Sequence, residues 1–173
     1  MKIKLVITDI DGVWTDGGMY YDNNGNEFKK FNTSDSAGVM MLRSLNIPLA
    51  IITGEDTAIV SHRADKLKVN YLFMGVSNKL LIAANLCKEL GISLDETAFI
   101  GDDINDVPLL KAAGLSATPA NAPEYVKKVS MWKLSRNGGD GVFREFIEKI
   151  VNEMGLFEKV MEEYYDRISR SGE

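Results

Sequence analysis

The sequence predicts an α/β fold built on a doubly wound parallel sheet. Short apolar stretches of strand length alternate with amphipathic stretches of helix length along most of the chain. The apolar stretches are nearly continuous, which is typical of strands that are buried on both faces. Right-handed crossovers then place helices on both sides of the sheet, so the expected architecture is Rossmann-like.

The individual elements follow from this periodicity and from the turn residues between them. Strands are predicted at about residues 4–7, 48–52, 69–73, 97–100, 115–118 and 130–134. Helices are predicted at about residues 35–46, 57–67, 78–90, 107–113, 122–127, 141–154 and 156–168. Gly91 ends the third helix, and residues 17–32 predict a β-hairpin whose turn is formed by residues 22–25 (Asp-Asn-Asn-Gly).

Composition narrows the class of protein. The 173 residues are 45% hydrophobic, which is enough for a sizeable core, and they carry a net charge of −5. This acidic balance argues against a nucleic-acid-binding protein. A single cysteine, Cys87, cannot form an intramolecular disulfide. No signal peptide and no membrane-spanning stretch is evident, so we expect a cytoplasmic protein with no membrane partner.

Two aspartates directly follow the first predicted strand. Asp9 and Asp11 are spaced i and i+2, so they project to the same side of an extended chain. Two carboxylates held that close repel each other unless a cation or a proton joins them. The pair therefore indicates either a divalent-metal site with a reactive carboxylate or, more simply, a solvated turn at Gly12.

Other polar residues at strand ends favour the metal site. Thr53 ends the second strand, Asp102 follows the fourth, and Lys79 begins the helix after the third. The carboxyl ends of parallel strands lie along one edge of the sheet, which is where ligands bind in doubly wound folds. Helix N-termini at this edge also favour an anion. The sequence thus predicts a site for a metal and a phosphate.

These motifs resemble those of the haloacid dehalogenase superfamily of phosphotransferases. The matching residues are Asp9-Ile10-Asp11-Gly12, Thr53, Lys79 and Gly101-Asp102-Asp103-Ile104-Asn105-Asp106. The resemblance implies that Asp9 is the nucleophile, that it forms an aspartyl-phosphate, and that Asp11 is the general acid and base. It further implies that Thr53, Gly54 and Lys79 bind the phosphoryl group.

The same resemblance implies a magnesium cofactor. Mg²⁺ would be bound by Asp9, by the backbone carbonyl of Asp11 and by Asp102, with Asp103 and Asp106 supporting the metal site. The segments between the motifs have room only for a hairpin or one crossover, so no cap domain is expected. We expect a single phosphatase domain over residues 1–173, with a hairpin flap at 17–32 and a C-terminal helix and tail at 155–173.

Local sequence narrows the resemblance to the capless phosphatases of 3-deoxy-2-keto sugar acids. The matching stretches are residues 11–17, residues 25–27 and residues 138–145. This subfamily includes phosphatases of 3-deoxy-octulosonate 8-phosphate and of nonulosonate (KDN or sialic acid) 9-phosphates. It implies a phosphorylated sugar acid as substrate, and a homotetramer in which a neighbouring subunit's hairpin closes each site.

One position distinguishes the two substrates. The octulosonate enzymes typically carry Arg after the Thr-Gly of strand two, whereas this chain has Glu55, with Lys66 eleven residues further on. A Glu-Lys pair resembles the nonulosonate branch, so we predict a nonulosonate 9-phosphate substrate, with octulosonate 8-phosphate as the alternative. Glu55 capping the next helix and a solvated Lys66 are an equally simple interpretation. Arg136 is a candidate contact for the substrate's polar end, or else part of a surface turn.

Two non-catalytic alternatives use similar residues. A response-regulator receiver domain also carries an acidic pair, a Thr and a Lys. In that domain, however, these residues follow different strands along the chain than they do here. A tetramerisation domain related to that of sialic-acid cytidylyltransferases shares the fold. The animal forms of that domain have lost parts of the acidic motif, whereas Asp9, Asp11 and Asp102 are all present here.

Overall fold

A computed structural model describes residues 2–170 of the chain. Its strands are β1 (Leu5–Thr8), β2 (Tyr20–Tyr21), β3 (Glu27–Phe28), β4 (Leu49–Ile52), β5 (Tyr71–Phe73), β6 (Thr97–Ile100), β7 (Leu115–Thr118) and β8 (Trp132–Lys133). Its helices are α1 (Asp35–Ser44), α2 (Ala58–Leu67), α3 (Lys79–Leu90), α4 (Val107–Ala112), α5 (Glu124–Lys127), α6 (Val142–Glu153) and α7 (Phe157–Arg170). Residues 171–173 of the predicted tail lie outside the described residues.

Six strands form one parallel sheet in the order β5-β4-β1-β6-β7-β8. The chain moves outward from β1 to β4 and β5, then returns to β6 on the other side of β1. The strand order therefore reverses beside β1, which is the topological switch point where doubly wound folds bind ligands. The predicted α/β fold is confirmed, and β2 and β3 form the predicted hairpin.

The sheet is covered on both faces. Leu5 and Ile7 of β1 pack into a core with α3 and α4, whereas Val6 packs into a second core with α1 and α6. Every residue of β1, β4, β6 and β7 is buried, which explains the continuous apolar stretches. Within residues 2–170, the elements outside these layers are the hairpin and short connections, with no cap domain.

The boundaries differ from prediction in two informative places. β5 begins at Tyr71, two residues later than predicted, because Lys68 adopts a left-handed conformation and the Val69 N–H still bonds to Ala64 of α2. A 3₁₀ turn at Ile104–Asp106 was not predicted. Asp103 and Asp106 form its reciprocal capping box, so acidic side chains shape this loop as well as line it.

Within residues 2–170, no helix is at once long and apolar enough to cross a bilayer.

Candidate active site

The polar strand ends meet at one edge of the sheet. Thr8, the last residue of β1, lies opposite Ile51 of β4 and Ile100 of β6, so Asp9, Thr53 and the loop at Asp102 emerge side by side. They surround a cavity of about 240 Å³. Its lining comprises Asp9, Asp11, Gly12, Gly17, Thr53, Gly54, Glu55, Asp102, Asp103 and Asn105.

Lys79 is not among the residues that line this cavity, but it bridges two carboxylates at the site. Its Nζ is 2.7 Å from Asp9 Oδ2 and 2.7 Å from Asp106 Oδ1, and its side chain is 1% exposed. Burial alone would lower the pKa of Lys79, but the charges of Asp9 and Asp106 raise it, so the ammonium remains charged. An ammonium has three donors, and these two contacts leave one available.

Asp106 holds the loop after β6 in place. Its side chain is fully buried, and its Oδ2 accepts hydrogen bonds from the backbone N–H groups of Asp102 (2.8 Å) and Asp103 (3.1 Å). Because its Oδ1 binds Lys79, the Asp106 carboxylate ties the β6 loop to the start of α3. Asp103 is exposed, and its Oδ1 accepts hydrogen bonds from the Ile104 N–H and from the Tyr125 hydroxyl.

Without a cation, the charged forms of the Asp9 and Asp102 carboxylates are disfavoured. Burial raises the pKa of Asp9 to about 7, with a further contribution from the charge of Asp106, although Lys79 opposes it. Burial together with the charges of Asp9 and Asp106 raises the pKa of Asp102 to about 8. Like charges that cannot be solvated favour the uptake of a proton or a metal ion.

The donor set suits a magnesium ion. Oxygen atoms of Asp9, Asp102 and Asp106 lie within 4.8 Å of one another. Among the described residues, Asp9 Oδ1 and Asp102 Oδ1 are buried and have no hydrogen-bond partner. Mg²⁺ prefers carboxylate and carbonyl oxygens, so the residues present fit this ion.

Thr53 presents a hydroxyl that nothing in the described chain uses. The residue is 1% exposed, and its Oγ1 has no hydrogen-bond partner within residues 2–170. Its backbone is fixed by a hydrogen bond from its N–H to Phe73 of β5. A rigidly held hydroxyl that lines the cavity can donate to an anionic ligand.

The predicted acid-base residue Asp11 is bound by the hairpin of its own chain. Lys29 Nζ lies 2.8 Å from Asp11 Oδ1 and 2.9 Å from Oδ2, and 3.4 Å from Glu27 Oε1. Burial alone would lower the pKa of Lys29, but its bonds to Asp11 and Glu27 raise it. Thr15 Oγ1 also donates to Asp11 Oδ1, at 3.1 Å.

Close backbone packing supports the loop after β1. Gly12 has a φ of +82°, and a Cβ atom built on it would lie 1.9 Å from Asp102 Oδ2. A Cβ on Gly138 would lie 1.9 Å from the Gly12 carbonyl oxygen. Only glycine fits at these two positions. The loop beginning at Gly138 thus packs against the β1 loop.

The structure does not bring Glu55 and Lys66 together within one chain. Glu55 lines the cavity, whereas Lys66 is an exposed residue in the last turn of α2. This end of α2 precedes the start of β5, and therefore lies toward the opposite edge of the sheet. Lys66 borders a separate surface depression with α1 residues, including Ser36 and Arg43.

Arg136 lies outside the cavity lining. It is exposed, its backbone N–H donates to Glu145 Oε2 at 2.9 Å, and its Nη1 lies 3.5 Å from the Asp140 carbonyl. These contacts match the surface-turn interpretation of Arg136 within a single chain.

Sequence reasoning missed two residues at the site. Asn105 lines the cavity from within the Gly101–Asp106 motif, so its place in that motif was an available signal. For Lys29 the signal in the sequence was weaker. Lys29 lies two positions after Glu27 in the same hairpin arm, so the two side chains share a face. Nothing local indicated that this face would meet Asp11, which is 18 positions away.

The sequence of the chain is similar to those of known hydrolases. A family model of haloacid dehalogenase-like hydrolases matches residues 71–146. The chain is 40% identical to the 3-deoxy-D-manno-octulosonate 8-phosphate phosphatase of Haemophilus influenzae, over 89% of this chain and 86% of that protein. It is 34% identical to the enzyme of the same name from Escherichia coli K12, over 91% of this chain and 84% of that protein.

Solved structures give the same picture. The 3-deoxy-D-manno-octulosonate 8-phosphate phosphatase of Moraxella catarrhalis, in complex with a magnesium ion, a phosphate ion and a KDO molecule, superposes with a TM-score of 0.91. It is 35% identical, and the match covers 94% of each chain. The cobalt-bound enzyme from Haemophilus influenzae matches with a TM-score of 0.86 and 40% identity, over 90% of this chain and 91% of that one.

The raised pKa values predict how Asp102→Asn changes stability. A carboxyl whose pKa is raised by folding stabilises the folded state fully at pH values below its unfolded pKa of 3.8. This contribution to stability is lost as the pH rises toward the folded pKa of about 8. In metal-free buffer at pH 8, Asp102→Asn should therefore raise the melting temperature by a few degrees, on the order of a 1 kcal/mol gain. At pH 5 the gain should be smaller. Thermal unfolding with a chelator measures both.

The control for this prediction is Asp95→Asn, which changes an exposed carboxylate away from the cavity. Its melting temperature should follow that of the unmodified protein at both pH values. An equal shift for Asp102→Asn at pH 5 and pH 8 would contradict the proton-linked origin of the effect.

Proposed function

The chain belongs to the haloacid dehalogenase-like hydrolases and is a phosphatase, and we propose that its substrate is 3-deoxy-D-manno-octulosonate 8-phosphate. The observation that carries this proposal is the 40% identity, over 89% of the chain, to a phosphatase named for that substrate. The structure with bound KDO, phosphate and magnesium supports it, because the match to that enzyme covers 94% of this chain. These relatives favour the substrate that the sequence analysis ranked second.

Asp9 is the proposed nucleophile. Its Oδ2 is held by Lys79, which fixes the carboxylate at the end of β1. A carboxylate oxygen of Asp9 attacks phosphorus, the phosphorus–oxygen bond to the sugar breaks, and the sugar oxygen leaves with a proton from Asp11. Asp11 then takes a proton from a water molecule, whose oxygen attacks the aspartyl-phosphate. Inorganic phosphate leaves, and the Asp9 carboxylate is restored.

Three groups are proposed to bind the phosphoryl oxygens. The unpartnered Thr53 hydroxyl and the backbone N–H of Gly54 lie at the end of β4. The third proton of the Lys79 ammonium is left over from its contacts with Asp9 and Asp106. Donors fixed in advance stabilise the charge of the transferring phosphoryl group without having to reorganise.

Magnesium is the cofactor, in keeping with the magnesium and cobalt ions in the related structures. Asp9, the Asp11 backbone carbonyl and Asp102 would hold it, with Asp106 fixing the β6 loop and Asp103 beside it. When bound, the ion neutralises charge on the phosphoryl group. The unpartnered oxygens of Asp9 and Asp102 support this assignment.

We also propose that the single domain of residues 1–173 assembles into a homotetramer in which the hairpin packs on a neighbouring copy. Met19, Tyr20, Tyr21 and Phe28 of the hairpin are all large apolar residues that one chain leaves 44–62% exposed. A cluster of exposed apolar side chains on one element is typical of a protein-binding surface.

A nonulosonate 9-phosphate is the second candidate substrate, and Glu55 is the observation that favours it. Glu55 lines the cavity directly after Thr53 and Gly54, where the octulosonate enzymes typically carry Arg. A carboxylate there repels an acidic sugar unless a cation compensates. Lys66 of the same chain borders a separate depression, so it does not supply that cation within one chain.

Replacing the nucleophile tests the reaction. Asp9→Asn should fold with an unchanged circular dichroism spectrum and should lose at least about 10³-fold in kcat, because an amide cannot attack phosphorus; this is roughly 4 kcal/mol of transition-state stabilisation. Magnesium-dependent phosphate release from the sugar acid phosphate measures it. Asp95→Asn is the matched control with ordinary turnover. Near-normal activity of Asp9→Asn would refute the mechanism.

Comparing the two sugar acids tests the substrate. The kcat/KM for octulosonate 8-phosphate should exceed that for KDN 9-phosphate by at least about tenfold, a difference of roughly 1.4 kcal/mol. Glu55→Gln should change this ratio if Glu55 faces the sugar, and should leave phosphate binding intact. A clear preference of the unmodified enzyme for the nine-carbon substrate would instead establish the second candidate.

A further inference from the structure

We propose that Lys29 is a positioning residue for Asp11: the hairpin, through this lysine, holds the Asp11 carboxylate in the orientation in which it accepts a proton from the hydrolytic water. The inference rests on the proposed phosphatase mechanism and deepens it. It gives residues of the hairpin a task inside the site of their own chain.

The burial of Lys29 is the first observation. Its side chain is 1% exposed, although Phe28 and Lys30 on either side of it are exposed. A buried ammonium is costly unless carboxylates surround it. Asp11 and Glu27 surround this one, with Nζ–oxygen distances of 2.8, 2.9 and 3.4 Å. The hairpin thus orders a long flexible side chain against a reactive carboxylate.

The second observation is how the two oxygens of Asp11 are occupied. Oδ1 is bound by both Lys29 and Thr15, which uses its two lone pairs. The direction of the Thr15 contact is settled by its neighbours, because Thr15 Oγ1 accepts from the N–H groups of Gly12 (3.4 Å) and Gly17 (3.2 Å). Its own hydrogen therefore points to Asp11.

Oδ2 of Asp11 is left with one lone pair. It receives only the 2.9 Å contact from Lys29 among the hydrogen bonds of the described residues. We therefore assign Oδ2 as the oxygen that takes the proton from water. Without Lys29, the Asp11 carboxylate would keep only the hydrogen bond from Thr15, which binds Oδ1 and not Oδ2. Oδ2 could then turn away from the attacking water.

With a leaving group that departs as a stable anion, this loss falls on the second half of the reaction. Such a group does not need the proton that Asp11 gives to the sugar oxygen in the first half, whereas deprotonation of water in the second half still needs Asp11. The first half, in which Asp9 attacks phosphorus, depends on the Lys79 and Thr53 contacts that Lys29 does not touch. Removal of Lys29 should therefore trap the aspartyl-phosphate.

The test is the pre-steady-state kinetics of Lys29→Met with p-nitrophenyl phosphate and magnesium. Nitrophenolate leaves readily, so aspartyl-phosphate formation should remain fast in the variant. We expect a burst of nitrophenolate approaching one per site, followed by a steady state about 30-fold slower than that of the unmodified enzyme, with kcat/KM within about threefold. Acid-quenched Lys29→Met should carry covalent phosphate by mass spectrometry.

Lys30→Met is the matched control. Lys30 is the next residue of the same hairpin, but its side chain is 63% exposed and lies 3.9 Å from Asp16, away from the cavity lining. Its kinetics should match those of the unmodified enzyme. Lys29→Gln, which keeps N–H donors but loses the charge, should give an intermediate burst and carries the test if Lys29→Met does not fold.

Two results would overturn the role of Lys29. A parallel fall in kcat and kcat/KM without a burst would mean that Lys29 only shapes the cavity. Kinetics indistinguishable from the unmodified enzyme would mean that it does not act on Asp11. Failure of the unmodified enzyme to release phosphate from octulosonate 8-phosphate, measured alongside, would instead refute the proposed phosphatase function itself.

Discussion

The structure depends on a group of acidic side chains at the carboxyl ends of its central strands, whose negative charges are only partly balanced. Asp9, Asp102 and Asp106 are brought together by the parallel strands and the loop after β6, and the Lys79 ammonium, which contacts Asp9 and Asp106, offsets part of their charge. Burial, and then the neighbouring carboxylates, raise the pKa of Asp9 and of Asp102 in spite of this ammonium. The unpartnered oxygens of Asp9 and Asp102 therefore suit a small, hard cation.

The surrounding fold holds these carboxylates close together. The carboxylates converge only because β4, β1 and β6 are adjacent and in register. The loop after β1 can approach Asp102 only because Gly12 has no side chain, and Gly138 in turn packs on the Gly12 carbonyl. Asp106 completes the support by capping the loop that carries Asp102.

Much of the fold and the inner site could be predicted because they follow from local pattern. Buried parallel strands leave continuous apolar stretches, and residues directly after such strands must share an edge, which placed Asp9, Thr53 and Asp102 together in advance. Lys29 could not be predicted in this way. Its contact with Asp11 depends on how the hairpin folds back over the β1 loop, which no periodicity encodes. The role of Glu55 and Lys66 at the substrate stays a prediction. Within one chain the two lie apart, because Lys66 is at the end of α2 that precedes the start of β5.

The turn at the tip of the hairpin and the base of the hairpin are held by different contacts. Asp22 closes the turn by itself, accepting hydrogen bonds from the N–H groups of Asn24 and Asn26 and from the Asn26 side chain. The base is anchored separately by the bridge between Thr15 and Phe31. Evolution can therefore exchange the tip, and with it whatever the tip touches, while the base keeps its hold on the catalytic carboxylate. The same separation makes the tip a natural position for a grafted label or an inserted peptide.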